Sequence, residues 1–263
     1  MAEAGVNRIS VGMQSANDAE LAALGRRHSA EDARRTVEAA RAAGIASLSL
    51  DLMIGTPGQT EESLLRSVDF CTALEVPHVS AYMLKIEEGT PFFRDGAAAR
   101  CPDEDAVAGM YEALCARMEQ AGLRRYEISN FARPGFESRH NLKYWRCEEY
   151  LGAGPAAHSF IDGRRMYYPR SLAAFISGEN GGEPLFDCEG GGFEEYAMLR
   201  LRLNEGLDLA ETERRYPGER ISEEQLALLE RGGFVRLSRG RVSLTVKGAL
   251  VSNEVIERLI LER

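Results

Sequence analysis

The sequence predicts an α/β protein followed by a smaller α+β module. Three observations carry this reading. Short apolar, strand-like runs alternate with capped helical segments through the first 131 residues. Clusters rich in Gly and Pro separate them. Beyond residue 192 the order changes to helices followed by a small hairpin.

The elements can be justified in order. Residues 7–13 (NRISVGM) read as a strand, and Asn17 or Asp18 caps a short helix through Leu24. Ser29 caps a helix over 30–43, which Gly44 stops. Residues 47–53 (SLSLDLM) form the next strand, and Gly55-Thr56-Pro57-Gly58 breaks it. Thr60-Glu61-Glu62-Ser63 opens a helix to about Leu74, and residues 78–84 form a third strand. Pro102-Asp103 starts a helix ending near Gly122, and residues 126–131 read as a fourth strand. Repeated strand–helix–strand units at this spacing predict a parallel sheet, either a barrel or a doubly wound sheet. Ligand chemistry then gathers at the strands' carboxyl ends, which carry Gln14, residues 51–55 and residues 83–87.

From residue 132 to about 170 the chain turns aromatic and Gly-rich, with an Asp162-Gly163 hairpin turn. The Gly-rich stretch up to Gly192 reads as a linker. The remainder reads as helices, then two short strands around Ser238-Arg239-Gly240, then a last helix: a winged-helix-like module. The domains expected are 1–170, a linker over 171–192, and 193–263.

Composition narrows the function classes. The 263 residues are 44% hydrophobic and 28% charged, ordinary values for a globular protein. The net charge is −9, from 32 Lys and Arg against 41 Asp and Glu, which argues against whole-chain attraction to nucleic acid. No apolar run nears the ~20 residues of a membrane helix, and the opening residues lack the pattern of an export signal. Five dispersed cysteines (Cys71, Cys101, Cys115, Cys147, Cys188) suit a reducing, cytoplasmic setting, and no CxxC or CxxxCxxC occurs. Gly152-Ala153-Gly154 is not a phosphate loop, because no Lys-Ser/Thr follows.

Four segments in order carry a family resemblance. They are NRISVGMQS (7–15) with LGRRH (24–28), LDLMIGTPGQT (50–60), YEISNFARPG (126–135) running into HNLKYW (140–145), and YLGAGPAAHS (150–159). Together they resemble the coproporphyrinogen III oxidase-like branch of the radical S-adenosylmethionine (SAM) proteins. His-Asn-x-x-Tyr-Trp is similar to the signature of its haem-chaperone group, HemW, rather than that of the decarboxylase. The resemblance implies a partial (β/α) radical-SAM barrel with a HemN-type C-terminal domain, and in intact members SAM and a 4Fe–4S cluster held by CxxxCxxC. It also implies that this chain starts at the family's fourth barrel strand. The expectation is an N-terminally truncated polypeptide, half of a barrel, that neither assembles the cluster nor cleaves SAM, and whose open sheet edge favours oligomerisation.

The resemblance assigns residues. Gln14 and Arg26 fall to the methionine and ribose end of SAM, Asp51 to the ribose hydroxyls, Met53 to the adenine and Lys85 to the rim. The chemistry suits the types: a carboxylate accepts from two hydroxyls, and a guanidinium grips a carboxylate in bidentate fashion. Each also has a plain alternative. Gln14 could cap a helix, Arg26 could be a solvated charge, and Met53 could be core packing. Asp51 lies within an apolar run, where a carboxylate demands a partner or ligand. By the same resemblance His140, Asn141, Tyr144, Trp145 and His158 belong to the haem or family motif. A structural histidine and an anchoring tryptophan are the alternatives. His28 and His78 have no supporting context. The function implied is haem binding and transfer to a client protein, with peripheral membrane association through that client. The alternative is SAM-dependent decarboxylation of coproporphyrinogen III. A third reading, a winged-helix nucleic-acid binder, rests on the C-terminal pattern alone.

Overall fold

The computed structural model describes residues 1–178 and 183–261. Within it the chain divides into two compact units, Met1–Glu137 and Ser138–Arg263.

The first unit runs β1 (Arg8–Gln14), α1 (Asp18–Ala23), α2 (Ala30–Ala42), β2 (Ser47–Ile54), α3 (Glu61–Ala73), β3 (His78–Met83), α4 (Pro91–Arg94), α5 (Glu104–Gln120), β4 (Arg124–Arg125) and β5 (Asn130–Ala132). The caps sit where the sequence places them. Asn17, Ser29, Thr60 and Asp103 each accept a backbone N–H of the following helix, and Ser29 and Thr60 form full capping boxes. The sheet order is β1-β2-β3-β5-β4, with β1, β2 and β3 parallel. Helices α2, α3 and α5 pack on the sheet. They bury Val37, Leu64, Val68, Leu114 and Met118 against Leu48, Leu50, Leu52, Ile54 and Val79.

The expected fourth strand is corrected. Residues 126–131 do not continue the parallel sheet. The Glu127 carboxylate accepts from the Ser129 amide (2.8 Å) and from the Asn130 side chain, and the Tyr126 amide donates to the Asn130 carbonyl (3.1 Å). This turn reverses the chain inside the predicted strand. β5 therefore lies antiparallel to both β3 and β4.

The second unit holds α6 (Arg139–Trp145), β6 (His158–Ile161), β7 (Arg164–Tyr167), α7 (Leu172–Ser177), β8 (Leu185–Glu189), α8 (Phe193–Leu201), β9 (Leu207–Asp208), α9 (Leu209–Arg215), α10 (Glu223–Arg231), β10 (Val235–Ser238), β11 (Arg241–Leu244), α11 (Val246–Leu250) and α12 (Ser252–Leu261). The Asp162-Gly163 turn joins β6 to β7 with both residues at positive φ, 51° and 72°, as a tight hairpin requires. Residues 171–192, expected as a linker, contain α7 and β8, and β8 pairs antiparallel with β7. Part of that expectation, residues 179–182, lies outside the described residues. From α8 to β11 the order is helix, strand, helix, helix, strand, strand, with a β10-β11-β9 sheet: a winged-helix arrangement.

Adjacent residues on β2 test the two-faced sheet. Leu50 is fully buried among the helices, whereas Asp51 points to the other face. Leu50→Ala is expected to cost about 2–5 kcal/mol in urea unfolding, while Asp51→Asn costs about 1 kcal/mol or less. Equal losses would contradict the assignment of faces.

Candidate functional site

Alternation along β1, β2 and β3 puts apolar residues against the helices and leaves a polar face opposite. That face carries Arg8, Ser10, Ser47, Ser49, Asp51, Met53, His78 and Ser80. Its polar groups pair across strands. Ser10 Oγ donates to Asp51 Oδ1 at 2.8 Å, which supplies the partner that the apolar run demanded. Arg8 Nη1 donates to Ser47 Oγ and to the Phe136 carbonyl, both at 2.9 Å. His78 is buried between Ser49 and Tyr126: Nδ1 lies 2.7 Å from Ser49 Oγ and Nε2 lies 2.9 Å from the Tyr126 hydroxyl. Burial, and then the Arg8 charge, pull the His78 pKa down to about 3, so its imidazole is neutral. Sequence reasoning gave His78 no role. The signal was the period-2 pattern in SLSLDLMI and HVSAYM, which places Ser49, Asp51, His78 and Ser80 on one face.

At the carboxyl ends of the strands, β1 bulges between Val11 and Gln14, and Gln14 takes φ 69°. A Cβ on Gly12 would come within 2.8 Å of Gln14 Nε2, so Gly12 leaves room for the side chain to fold back. Gln14 is buried and does not cap α1, because Asn17 Oδ1 accepts the Ala19 amide there. Behind it lies a buried carboxylate that the sequence reading missed. Glu20 accepts from Ser15 Oγ (2.7 Å), Gln59 Nε2 (3.1 Å) and Asn17 Nδ2 (3.3 Å). Gln59 also donates to the Met53 carbonyl (3.0 Å), and its Oε1 accepts the Gly55 amide (2.7 Å). Glu20 and Gln59 thus tie the end of β1 to the end of β2.

Arg26, Met53 and Lys85 line one cavity of about 300 Å³ with Leu24, Leu84 and Phe92. Gln14 and Asp51 are not among its lining residues, although Asp51 stands two residues before Met53 on the same strand face. Lys85 is exposed and pairs with Glu87 at 2.9 Å. Apolar walls with a guanidinium and an ammonium suit a flat base and an anionic carboxylate.

In the second unit HNLKYW folds as α6. His140 is exposed, with Nε2 2.6 Å from the Tyr144 hydroxyl one turn on. Tyr144 meets Tyr150 edge to face at 4.5 Å, and the Arg202 guanidinium lies over Trp145 at 5.8 Å. Asn141 is half-buried in the first turn of α6. His158 opens β6, exposed and stacked on Tyr167 at 5.6 Å.

The comparisons with known proteins bear on the family and the fold. The Radical SAM superfamily model matches residues 1–71, and the HemN C-terminal domain model matches residues 193–251. The heme chaperone HemW of Bacillus subtilis is 36% identical over 96% of this chain, which covers 69% of that relative. The chain belongs to the HemW family of radical SAM proteins. The HemW of Mycobacterium tuberculosis is 38% identical over 98% of this chain, and the chain covers 66% of its length. The chain thus spans about two-thirds of these curated relatives. The coproporphyrinogen III oxidase HemN of Escherichia coli, described as a radical SAM enzyme, shares the fold. Its TM-score is 0.78 at 20% identity, with 100% of this chain and 66% of that one covered.

Intact radical SAM proteins carry SAM and a 4Fe–4S cluster, and the residues present here do not fit the cluster. No three cysteines share a local spacing. Among the described residues no group of three or more His, Cys, Asp or Glu is placed to hold a metal ion. Burial pushes the Cys71 thiol far up and Cys115 up to about 11, and it raises Cys101 and Cys147 as well. Cluster ligands need the opposite, a thiolate. No helix among the described residues is long and apolar enough to cross a membrane.

The buried neutral His78 sets a pH dependence. Its folded pKa, about 3, lies below the ordinary 6.5, so the unfolded chain binds the extra proton. The stability from neutral His78 is fully present above about pH 6.5 and is lost as pH falls toward about 3. In His78→Gln the drop in urea midpoint between pH 7 and pH 4.5 should shrink. An unchanged drop would contradict the assignment.

Proposed function

We propose that this chain binds haem and passes it to a client protein, and that its first unit holds SAM at the strand ends. The observation that carries the reading is similarity to proteins named heme chaperones over 96–98% of the chain, including HNLKYW folded as a helix with His140 exposed. In this reading Arg26 and Gln14 orient the methionine end, Asp51 accepts from ribose hydroxyls, and Met53 packs the base. Lys85, now tied to Glu87, closes the rim. SAM when bound supplies an adenosyl group and a sulfonium; the chain's own part is to hold it and keep water out. His140, Asn141, Tyr144, Trp145 and His158 form the haem-facing surface of the second unit.

Coproporphyrinogen III decarboxylation is the other reading, and its structural support is the HemN likeness, which extends to the fold alone. A nucleic-acid role has less. Helix α10, in the position a winged helix uses to read DNA, carries Glu223, Glu224 and Glu230 against Arg231 alone, which disfavours phosphate contact.

Two measurements test the proposal. Haem added to the chain should give a saturable Soret band and move to an apo-haemoprotein acceptor, with no protoporphyrinogen formed from coproporphyrinogen III and SAM under reductant. Failure to bind haem, or decarboxylation, would overturn it. In equilibrium dialysis with SAM, Arg26→Ala or Asp51→Ala should weaken retention about tenfold. Retention equal to wild type would remove those residues from the site.

A further inference from the structure

We infer that the groove between α8 and α12 docks one amphipathic helix of a partner protein, apolar along one face and edged with Lys or Arg. The inference goes beyond the haem reading and does not depend on it. On α12, Asn253, Ile256, Glu257 and Ile260 recur at i, i+3, i+4 and i+7, which is one stripe of a helix. On the facing wall Glu194, Met198 and Arg202 recur every four residues. The two stripes line one cavity of about 480 Å³, within the range of pockets that bury a ligand. Its apolar lining includes Met198 and Leu261, which are 36% and 58% exposed, while Ile256 and Ile260 are buried.

Charge selects the occupant. Three carboxylates, Glu194, Glu195 and Glu257, line the groove against one guanidinium, Arg202. That guanidinium is already engaged: Nη2 donates to Asn253 Oδ1 at 2.8 Å, and the group lies over Trp145 at 5.8 Å. Glu195 is engaged as well, with Arg165 and with the Gly191 amide at 2.6 Å. Glu194 and Glu257 are exposed, one on each wall. Cations along the edges of an apolar helix complement them, whereas nucleic acid and anionic lipid headgroups are repelled. A second copy of the chain is disfavoured by its own net charge of −9.

The helical form of the occupant follows from the walls. Inside a helix the backbone N–H and C=O groups are bonded to one another, so neither wall offers an edge to an extended peptide. A helix satisfies its own backbone and needs the groove only for side chains. The walls are nine and ten residues long, which is about 15 Å and matches two to three turns of an occupant.

The test is fluorescence anisotropy of a labelled synthetic helical peptide titrated with the full chain. The peptide carries Leu at i, i+3, i+4 and i+7 and Lys on both flanks. It should saturate with a Kd below about 0.1 mM. Met198→Glu and Glu257→Lys, both at exposed positions and checked for folding by circular dichroism, should each weaken it at least about tenfold. Glu224→Lys on α10, outside the groove, should leave the Kd unchanged. A peptide with Glu in place of Lys, and a scrambled peptide of the same composition, should not saturate. The inference is overturned if the Leu/Lys peptide fails to saturate, if the scrambled peptide binds as well, or if both groove variants bind as wild type does. A dimer in sedimentation velocity that Met198→Glu dissociates would give the groove to a second copy and overturn it too.

Discussion

The pairing of polar groups on the helix-free face of the parallel sheet is the constraint on which the first unit rests. Helices cover only one face, so every second residue of three parallel strands must meet either a partner or solvent. Ser10 meets Asp51, Arg8 meets Ser47, and Ser49, His78 and Tyr126 form one chain of hydrogen bonds across β2, β3 and the segment after β4. Without these partners a buried imidazole and a guanidinium would each carry a desolvation cost comparable to a lost hydrogen bond or more. With them, the face stays polar without being strained.

The rim above that face depends on the same principle. Glu20 is buried and accepts hydrogen bonds from three residues that precede α1 or follow β2. Its carboxylate ties the segment after β1 to the segment after β2, beside the strand ends that carry Gln14 and Met53. A rim held from behind in this way can present ligand-binding side chains without those side chains having to hold the loops together. The second unit uses aromatic packing instead, with Tyr144 on Tyr150, His158 on Tyr167 and Tyr168 on Phe175.

Much of the local structure was legible because its causes are local. Asn17, Ser29, Thr60 and Asp103 cap helices through bonds that span two or three residues. The Asp162-Gly163 and Arg239-Gly240 turns take positive φ at both positions. Where sequence reading failed, the cause lay further off. Residues 126–131 carry strand-forming types, but a Glu127 side chain folded onto its own turn reversed the chain. Residues 185–189 read as linker because of their Gly-rich flanks, whereas they form a strand by pairing with β7, about twenty residues earlier. His78 was passed over because its partners are 29 and 48 residues away.

The sequence alone determined the order of elements, their caps and turns, the two-residue alternation of the strands, and the family. Each of these depends on residues close together in the chain or on motifs read as strings. Only the tertiary structure decided which polar residues meet across strands, that Arg26, Met53 and Lys85 share one cavity while Gln14 and Asp51 stand outside its walls, and which ring nitrogen of each histidine is already taken. Those outcomes turn on strand register and on side-chain hydrogen bonds between distant segments, which no spacing rule encodes.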